Sequence, residues 1–410
     1  MVRIASPQIT YAAGKARLTS NLIVDDVPHP LWFEVAEKFG KYLCDERSDA
    51  FVLAILYWCM RKGHDIQCEA PLTDRLYHHL CDQFLPPFYK LNGMGDDSSV
   101  KSSERGHRVK IISETAPEID HPSDGHRVGT GISCGVDSLH VFACHTEVDV
   151  ACVWRAHVTT GISSMDSSEG REMAWRGMRQ QAEAFCRDVG LELVVGDTNF
   201  DRECLPGLQW DGMTTFGNLF CVFALQKLWS VYYVASDCDI LNFNMRFRSL
   251  WQDPARYEYF LFPHISLPHL DVRMDGQAHS RVEKVRDILS YAPARKYLNV
   301  CWRIHEGHRN GTYDCPKCMR TLLNLEVWNA VDQFSDVFDV DYYHSHFHEF
   351  LAEYYRGVLQ KDNFALEMKP YFGNRKYPVP IRLRAWLIVA KKAFKKLLRF
   401  GSTSYTFSPR

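Results

Sequence analysis

The sequence predicts an α/β protein: a parallel sheet flanked by helices, preceded by an α+β accessory region and followed by a helical tail. Three observations carry that expectation. From His126 onward, short apolar runs alternate with longer amphipathic ones, the pattern of strands joined by crossover helices. At Ser133-Cys134-Gly135-Val136-Asp137-Ser138 a small, apolar, Gly-bearing run hands over to the apolar helical start Leu139-His140-Val141-Phe142-Ala143. The 410 residues are enough for a large core and more than one domain.

Three regions follow from this reading: an accessory α+β domain at 1–125, a sheet domain at 126–335 and a helical C-terminal extension at 336–410. In the first, 32–43 and 48–61 carry apolar residues at helical spacing and predict a helical hairpin around Asp45-Glu46-Arg47. A further helix is expected at 72–84 and a strand at 109–113, beyond the polar, Gly-rich break at 92–99. In the second, strands are expected at 128–132, 150–154, 191–195 and 230–235, with helices at 137–144, 171–189 and 215–228. Ligands of open parallel sheets sit beyond the carboxyl ends of the strands. The residues to watch there are 133–138, 155–157, 197–199 and 236–239.

Composition narrows the function classes. A formal charge of -2 gives no whole-chain electrostatic reason for nucleic acid as the main partner. Fourteen cysteines are scattered through mostly apolar runs, as reduced buried thiols are, and the chain opens on no cleavable apolar leader. A cytoplasmic address is the simplest expectation, and no apolar stretch is long and unbroken enough to predict a transmembrane segment.

The 133–138 segment has the chemistry of a phosphate-gripping turn. Backbone N–H groups at such a turn, with the unpaired donors of the helix that follows, favour a polyphosphate without a lysine. Gly135 is expected to make the tight turn, Ser133 and Ser138 to add hydroxyl hydrogen bonds, and Asp137 to hold Mg²⁺. An ordinary strand–turn–helix corner is the plain alternative. Gly129-Thr130-Gly131 starts like a dinucleotide fingerprint, but the third glycine position falls on Cys134; no GxxxxGK[ST] run occurs.

The segment resembles the SGGxDS signature of the PP-loop ATP pyrophosphatase (adenine nucleotide alpha hydrolase-like) superfamily, with Cys134 where that signature has glycine. The resemblance implies a PP-loop/HUP-like sheet, ATP and Mg²⁺ as ligands, and cleavage between the α- and β-phosphates. It implies nucleotide contacts by Ser133, Cys134, Gly135, Val136, Ser138 and, after the second strand, His157, with Asp137 as metal holder. A Cβ and thiol at 134 are expected to stand where backbone meets pyrophosphate.

Two more groups of residues bear on this. Ser280 is placed to cap a helix on which Arg281 and Lys284, three apart, share a face. By spacing alone Arg281, Glu283, Lys284, Arg286 and Asp287 make a solvated charged face. The Ser-Arg-x-Glu-Lys order is similar to that of PP-loop proteins of the 7-cyano-7-deazaguanine synthase-like branch. There Arg281 and Lys284 would act as catalytic cations, neutralising the leaving group. Cys301 followed by Cys315-Pro316-Lys317-Cys318 brings three thiolates toward one tetrahedral Zn²⁺, Cys301 returning from a strand. The resemblance implies a fourth cysteine, but Thr312 occupies its place, leaving His305 or His308 as fourth ligand, or a metal-free knuckle. Such a zinc would be structural.

Beyond the knuckle, His344 and His348 stand at i, i+4 but lack a third ligand, and read as an aromatic-rich helix. The tail at 381–400 is amphipathic, with Leu383, Trp386, Leu387, Ala390, Phe394 and Leu397 along one stripe and a basic opposite face. Packing on its own domain is the first expectation; a protein partner, an anionic membrane surface and a polyanion such as tRNA are the others. The combined expectation is an AMP-forming C–N ligase that adenylates a carboxylate or amide oxygen of a small-molecule or macromolecular substrate, a nitrogen nucleophile then displacing AMP. The alternative is a nucleotide-binding or protein-interaction module whose catalysis is impaired at Cys134.

Overall fold

The computed structural model describes residues 1–91, 107–117, 119, 122, 124–161, 168–200, 213–236, 239–240, 254–301, 310, 315–372 and 377–401. These form two compact units, 1–278 and the described residues from 279 onward, whereas the sequence reading divided the chain at 125 and 335.

The first unit opens with strands β1 (Val2–Ile4), β2 (Gln8–Ala12), β3 (Lys15–Val24) and β4 (Val27–Ala36), then α1 (Asp49–Lys62), β5 (Ile66–Cys68) and β6 (Leu72–Thr73). Helices α2 (Asp74–His78) and α3 (Leu85–Leu91) follow, joined through a π turn at His79–Phe84, then β7 (Ile111–Ile112) and β8 (Thr115–Ala116). The alternating part comprises β9 (Arg127–Gly131), α4 (Val136–Cys144), β10 (Val150–Trp154), α5 (Arg155–Gly161), α6 (Ser168–Val189), β11 (Glu192–Thr198), α7 (Met213–Ala224), β12 (Trp229–Ala235), α8 (Pro254–Leu261) and β13 (Asp271–Asp275).

The four expected strands and three expected helices of this part are all present. Strands β9, β10, β11, β12 and β13 are mutually parallel and lie in the order β11-β10-β9-β12-β13. Numbered along the chain, that is 3-2-1-4-5. The order reverses between β9 and β12, and in open parallel sheets ligands sit beyond the carboxyl ends of the strands at such a reversal.

The N-terminal strands extend the same sheet. β4 pairs antiparallel with β11 through Asp197↔Glu34 and Thr198↔Phe33, and β3, β1, β5 and β7 follow outward. The helix expected at 32–43 is corrected by this pairing: its first half is the end of β4, and only a 3-10 turn, Glu37–Tyr42, remains. Leu31, Phe33 and Val35 are buried on alternate positions, while β3 supplies ten-residue cross-strand pairing. Two-sided hydrogen bonding to β3 and β11 outweighs a local pattern that suits either period. The helix expected at 48–61 is α1, buried from Asp49 to Met60 and packed on α7, with Phe51 edge-on to Phe220 at 5.4 Å.

Close backbone approaches seat the large aromatics. A Cβ on Gly129 of β9 would fall 2.5 Å from the Trp229 ring, and one on Gly196 of β11 would fall 2.5 Å from Phe33. Gly129 therefore makes room for a fully buried indole in β12.

The second unit is helical: α9 (Arg281–Ile288), α10 (Ala292–Tyr297), α11 (Pro316–Val327), α12 (Val340–Gln360), α13 (Asn363–Phe372) and α14 (Val379–Gly401). Helix α12 starts on the Asp339 carboxylate, which accepts from the Tyr342 amide at 3.0 Å, and kinks at His346. His344 pairs with Asp332 at 2.6 Å, which makes it a surface ion-pair partner. Helix α14 packs on α12, with Trp386 stacked on Tyr355 at 4.8 Å and Lys392 paired with Glu353. Among its described side chains the buried ones are Ala385 and Val389, not the stripe through Leu383, Trp386, Leu387 and Ala390, which is exposed. Among the described residues no helix is long and apolar enough to cross a membrane.

Candidate functional site

The 133–138 segment connects β9 to α4 at the carboxyl end of β9, where the sheet order reverses. Its shape is maintained by its own two serines. The Ser133 and Ser138 hydroxyls are 3.2 Å apart, and Ser138 Oγ donates to the Gly135 carbonyl at 3.2 Å while lying 3.4 Å from the Ser133 amide. The Gly135 amide reaches Ser133 Oγ only at 3.4 Å. Both amide contacts are long for N–H···O bonds, so these donors are weakly engaged.

Gly135 is the N-cap of α4 and, lacking a side chain, provides no capping acceptor. The helix thus begins without the oxygen that usually satisfies its first-turn amides, and its dipole favours an anion at that end. Asp137 stands half-buried in this first turn, and Val136 and Ser138 are buried on either side of it.

The turn differs from expectation in one residue. Gly135 has φ -76° and is extended, whereas Cys134 has φ +56°. The left-handed residue is the cysteine, at a cost of roughly 1–2 kcal/mol for an L side chain. The expectation that the thiol stands in the path of a phosphate is also corrected: Cys134 is 1% exposed, its side chain in the core. Burial pushes its thiol well above the usual range, the neighbouring Cys186 adding to the effect.

The other strand ends serve different ends. His157 lies not in a loop but in α5, half-buried, its Nδ1 3.4 Å from Asn218 Nδ2. Thr198 donates to the Trp32 carbonyl at 2.6 Å; Asn199 accepts from the Trp32 amide at 2.9 Å and donates to the Pro30 carbonyl at 2.7 Å. These two residues join β4 to the parallel strands. Arg155 pairs with Glu172 at 2.8 Å and Asp197 at 3.6 Å.

A polar cluster in the same unit has no counterpart in the sequence reading. His145 Nε2 is 2.8 Å from Asp275, its Nδ1 is 3.0 Å from Glu147, and its ring stacks on Tyr233 at 4.0 Å. Tyr233 donates to Glu147 at 2.8 Å. Burial alone would lower the His145 pKa, but hydrogen bonds and charge from Asp275, then Glu147, raise it. Asp275 is 130 residues away in sequence, so only the β12–β13 pairing reveals the contact.

In the second unit Ser280 caps α9 as expected and completes a capping box: its Oγ accepts from the Glu283 amide at 3.3 Å, and Glu283 accepts from the Ser280 amide at 2.9 Å. Ser280 and Glu283 thus have a structural account. Lys284 is 1% exposed, so it is not part of a solvated face; Arg281 is half-buried, and its amide donates to Glu367 at 3.0 Å.

Cys301, Cys315 and Cys318 are all buried, with sulfurs mutually within 4.8 Å and Cys301 Sγ 3.8 Å from Cys315 Sγ. A disulfide needs about 2.05 Å. Tetrahedral zinc with Zn–S near 2.3 Å separates its sulfurs by about 3.8 Å, so the trio fits that ion. Cys315 is the N-cap residue of α11, with Pro316 next at the first helical position. Cys301 comes from an irregular segment after α10 rather than from a strand. Buried Asn310 holds that segment, accepting from the Val300 and Cys301 amides at 3.0 and 3.1 Å and donating to the Leu298 carbonyl at 2.6 Å. His305, His308 and Thr312 lie outside the described residues.

No protein-family model, curated protein or solved structure matches this chain.

Proposed function

We propose that the chain binds ATP with its phosphates at the 133–138 loop and transfers the adenylyl group to a carboxylate or amide oxygen of an acceptor with release of pyrophosphate, a nitrogen nucleophile then displacing AMP. One observation carries this reading: the serine-braced loop follows the first strand of a 3-2-1-4-5 parallel sheet, at the order reversal, and runs into a helix whose N-cap is a glycine without a capping side chain. Amides and dipole there are directed at an anion, and the Ser133 and Ser138 hydroxyls add donors. Asp137, in the first turn, is the carboxylate assigned to the Mg²⁺ that accompanies ATP and offsets phosphate charge. The burial of the Cys134 thiol removes the steric argument for an impaired module.

The reading rests on the loop alone; Arg281 and Lys284 belong to the other unit and are given no step. In that unit, the proposed Zn²⁺ is held by Cys301, Cys315 and Cys318 and has a structural role, tying α11 to the segment after α10.

The test is incubation with α-labelled ATP and Mg²⁺ across candidate acids and amines. AMP and pyrophosphate are expected, with the rate falling at least about a hundredfold in Asp137→Ala. Nucleotide binding without turnover favours a sensing module, and AMP formation at the parental rate in Asp137→Ala overturns the assignment.

A further inference from the structure

Helix α14 is apolar on two faces: one is buried, and the other is largely exposed, touching its unit through the Trp386–Tyr355 stack. Ala385 and Val389 are buried against the helical unit, while Val379, Leu383, Trp386 and Leu387 are 65%, 60%, 46% and 61% exposed. At 100° per residue these four fall within about one quarter of the helix circumference. From Val379 to Leu387 the row is about 12 Å long at 1.5 Å per residue. Beside it, Tyr355, Val379, Arg382, Leu383 and Trp386 line a shallow groove of about 290 Å³.

The charge on this helix is of one sign. Residues 379–401 contain Arg382, Arg384, Lys391, Lys392, Lys395, Lys396 and Arg399 and no acidic residue, in a chain whose formal charge is -2. Arg382, Arg384 and Lys391 are exposed, with Arg384 and Lys391 flanking the apolar row. A second copy of the helix would bring like charges together. A polyanion in water would use the cations but leave the apolar row wet. An anionic bilayer surface satisfies both: the row enters the acyl boundary, Trp386 sits at headgroup level, and the flanking side chains extend to lipid phosphates.

We infer that α14 is a peripheral membrane-docking helix that lies flat on anionic lipid, through an apolar row formed by Val379, Leu383, Trp386 and Leu387 and a basic rim. This does not depend on the ATP reading.

The experiment is flotation of the full chain with phosphatidylcholine vesicles, with and without phosphatidylserine. Binding is expected to be at least about tenfold stronger to the anionic vesicles and to weaken with salt. The double variant Leu383→Asp, Leu387→Asp is expected to lose flotation with an unchanged melting temperature, since both side chains are exposed. Arg384→Glu with Lys391→Glu is expected to weaken binding by roughly tenfold or more. Flotation that survives the leucine changes overturns the inference. So does absence of flotation together with tRNA retention, capture of an acidic protein, or self-association through the same row.

Discussion

The hydroxyl of Ser133, at the end of a strand, lies 3.2 Å from that of Ser138, one turn into the next helix, so the loop between them is braced from within. Ser138→Ala removes the contacts to Ser133 and to the Gly135 carbonyl together. A loss of about 1 kcal/mol in denaturant unfolding is expected, with weaker ATP binding; an unchanged affinity would count against the hydroxyls as phosphate donors.

Cys134 is left-handed and buried, and its substitutions separate backbone strain from packing. Cys134→Gly relieves the φ strain but loses the buried thiol, two effects of similar size, and should stay within about 1 kcal/mol of the parent. Cys134→Val keeps the burial and worsens the strain, and is expected to cost about 2–4 kcal/mol. Equal stabilities in a urea titration would contradict the assigned backbone geometry.

The cysteine trio makes a stoichiometric prediction. Purified chain should carry one zinc per molecule by elemental analysis, and Cys315→Ser should release it. Removal by chelation is expected to lower the melting temperature by about 5–10 °C, corresponding to a few kcal/mol. A metal-free preparation with the same melting temperature would leave the trio as a reduced buried knuckle.

His145 supplies a pH signature. Its folded pKa is raised above 6.5 by Asp275 and Glu147 despite burial, so protonated His145 stabilises the fold below its unfolded pKa, and this contribution is lost as pH rises through the folded value. Glu147 has a lowered pKa, through backbone hydrogen bonding and then Tyr233; its contribution is present above 4.5 and is lost as pH falls through the folded value. Both contributions are therefore fully present between about pH 4.5 and 6.5. Melting temperatures followed from this range to higher pH should show the alkaline loss in the parent and a flatter profile in Asp275→Asn.

Gly129 is required for steric reasons. The added methyl of Gly129→Ala meets the Trp229 ring at 2.5 Å, and an indole wedged in a sheet core cannot swing away. Destabilisation of about 2–3 kcal/mol is expected, reversed in part by pairing the change with Trp229→Phe. Additive effects would show that the two sites are independent.

The alternating core was legible because each element satisfies its own local rule. Val150–Trp154 is apolar at every position, as a strand covered on both faces must be, and Ser168–Val189 keeps a helical period over its length. Ser280 with Glu283 three residues later is a local capping signal, and the structure uses it as one. The end of β4 was misread because its apolar residues suit either period, and its partners, β3 and β11, include one more than 160 residues away.

Read alone, the amino-acid sequence determines the order of strands and helices in the sheet region, the position of the 133–138 turn between a strand and a helix, and the spacing of a C-x-x-C pair. Those are short-range properties, set by periodicity and by which residues tolerate a turn. Tertiary structure decides the rest: the 3-2-1-4-5 order that puts the loop at the order reversal, the inward course of the Cys134 thiol, and the meeting of His145 with Asp275. It also decides which apolar face of α14 is buried. Each depends on contacts between segments far apart in the chain, and local patterns carry no record of their partners.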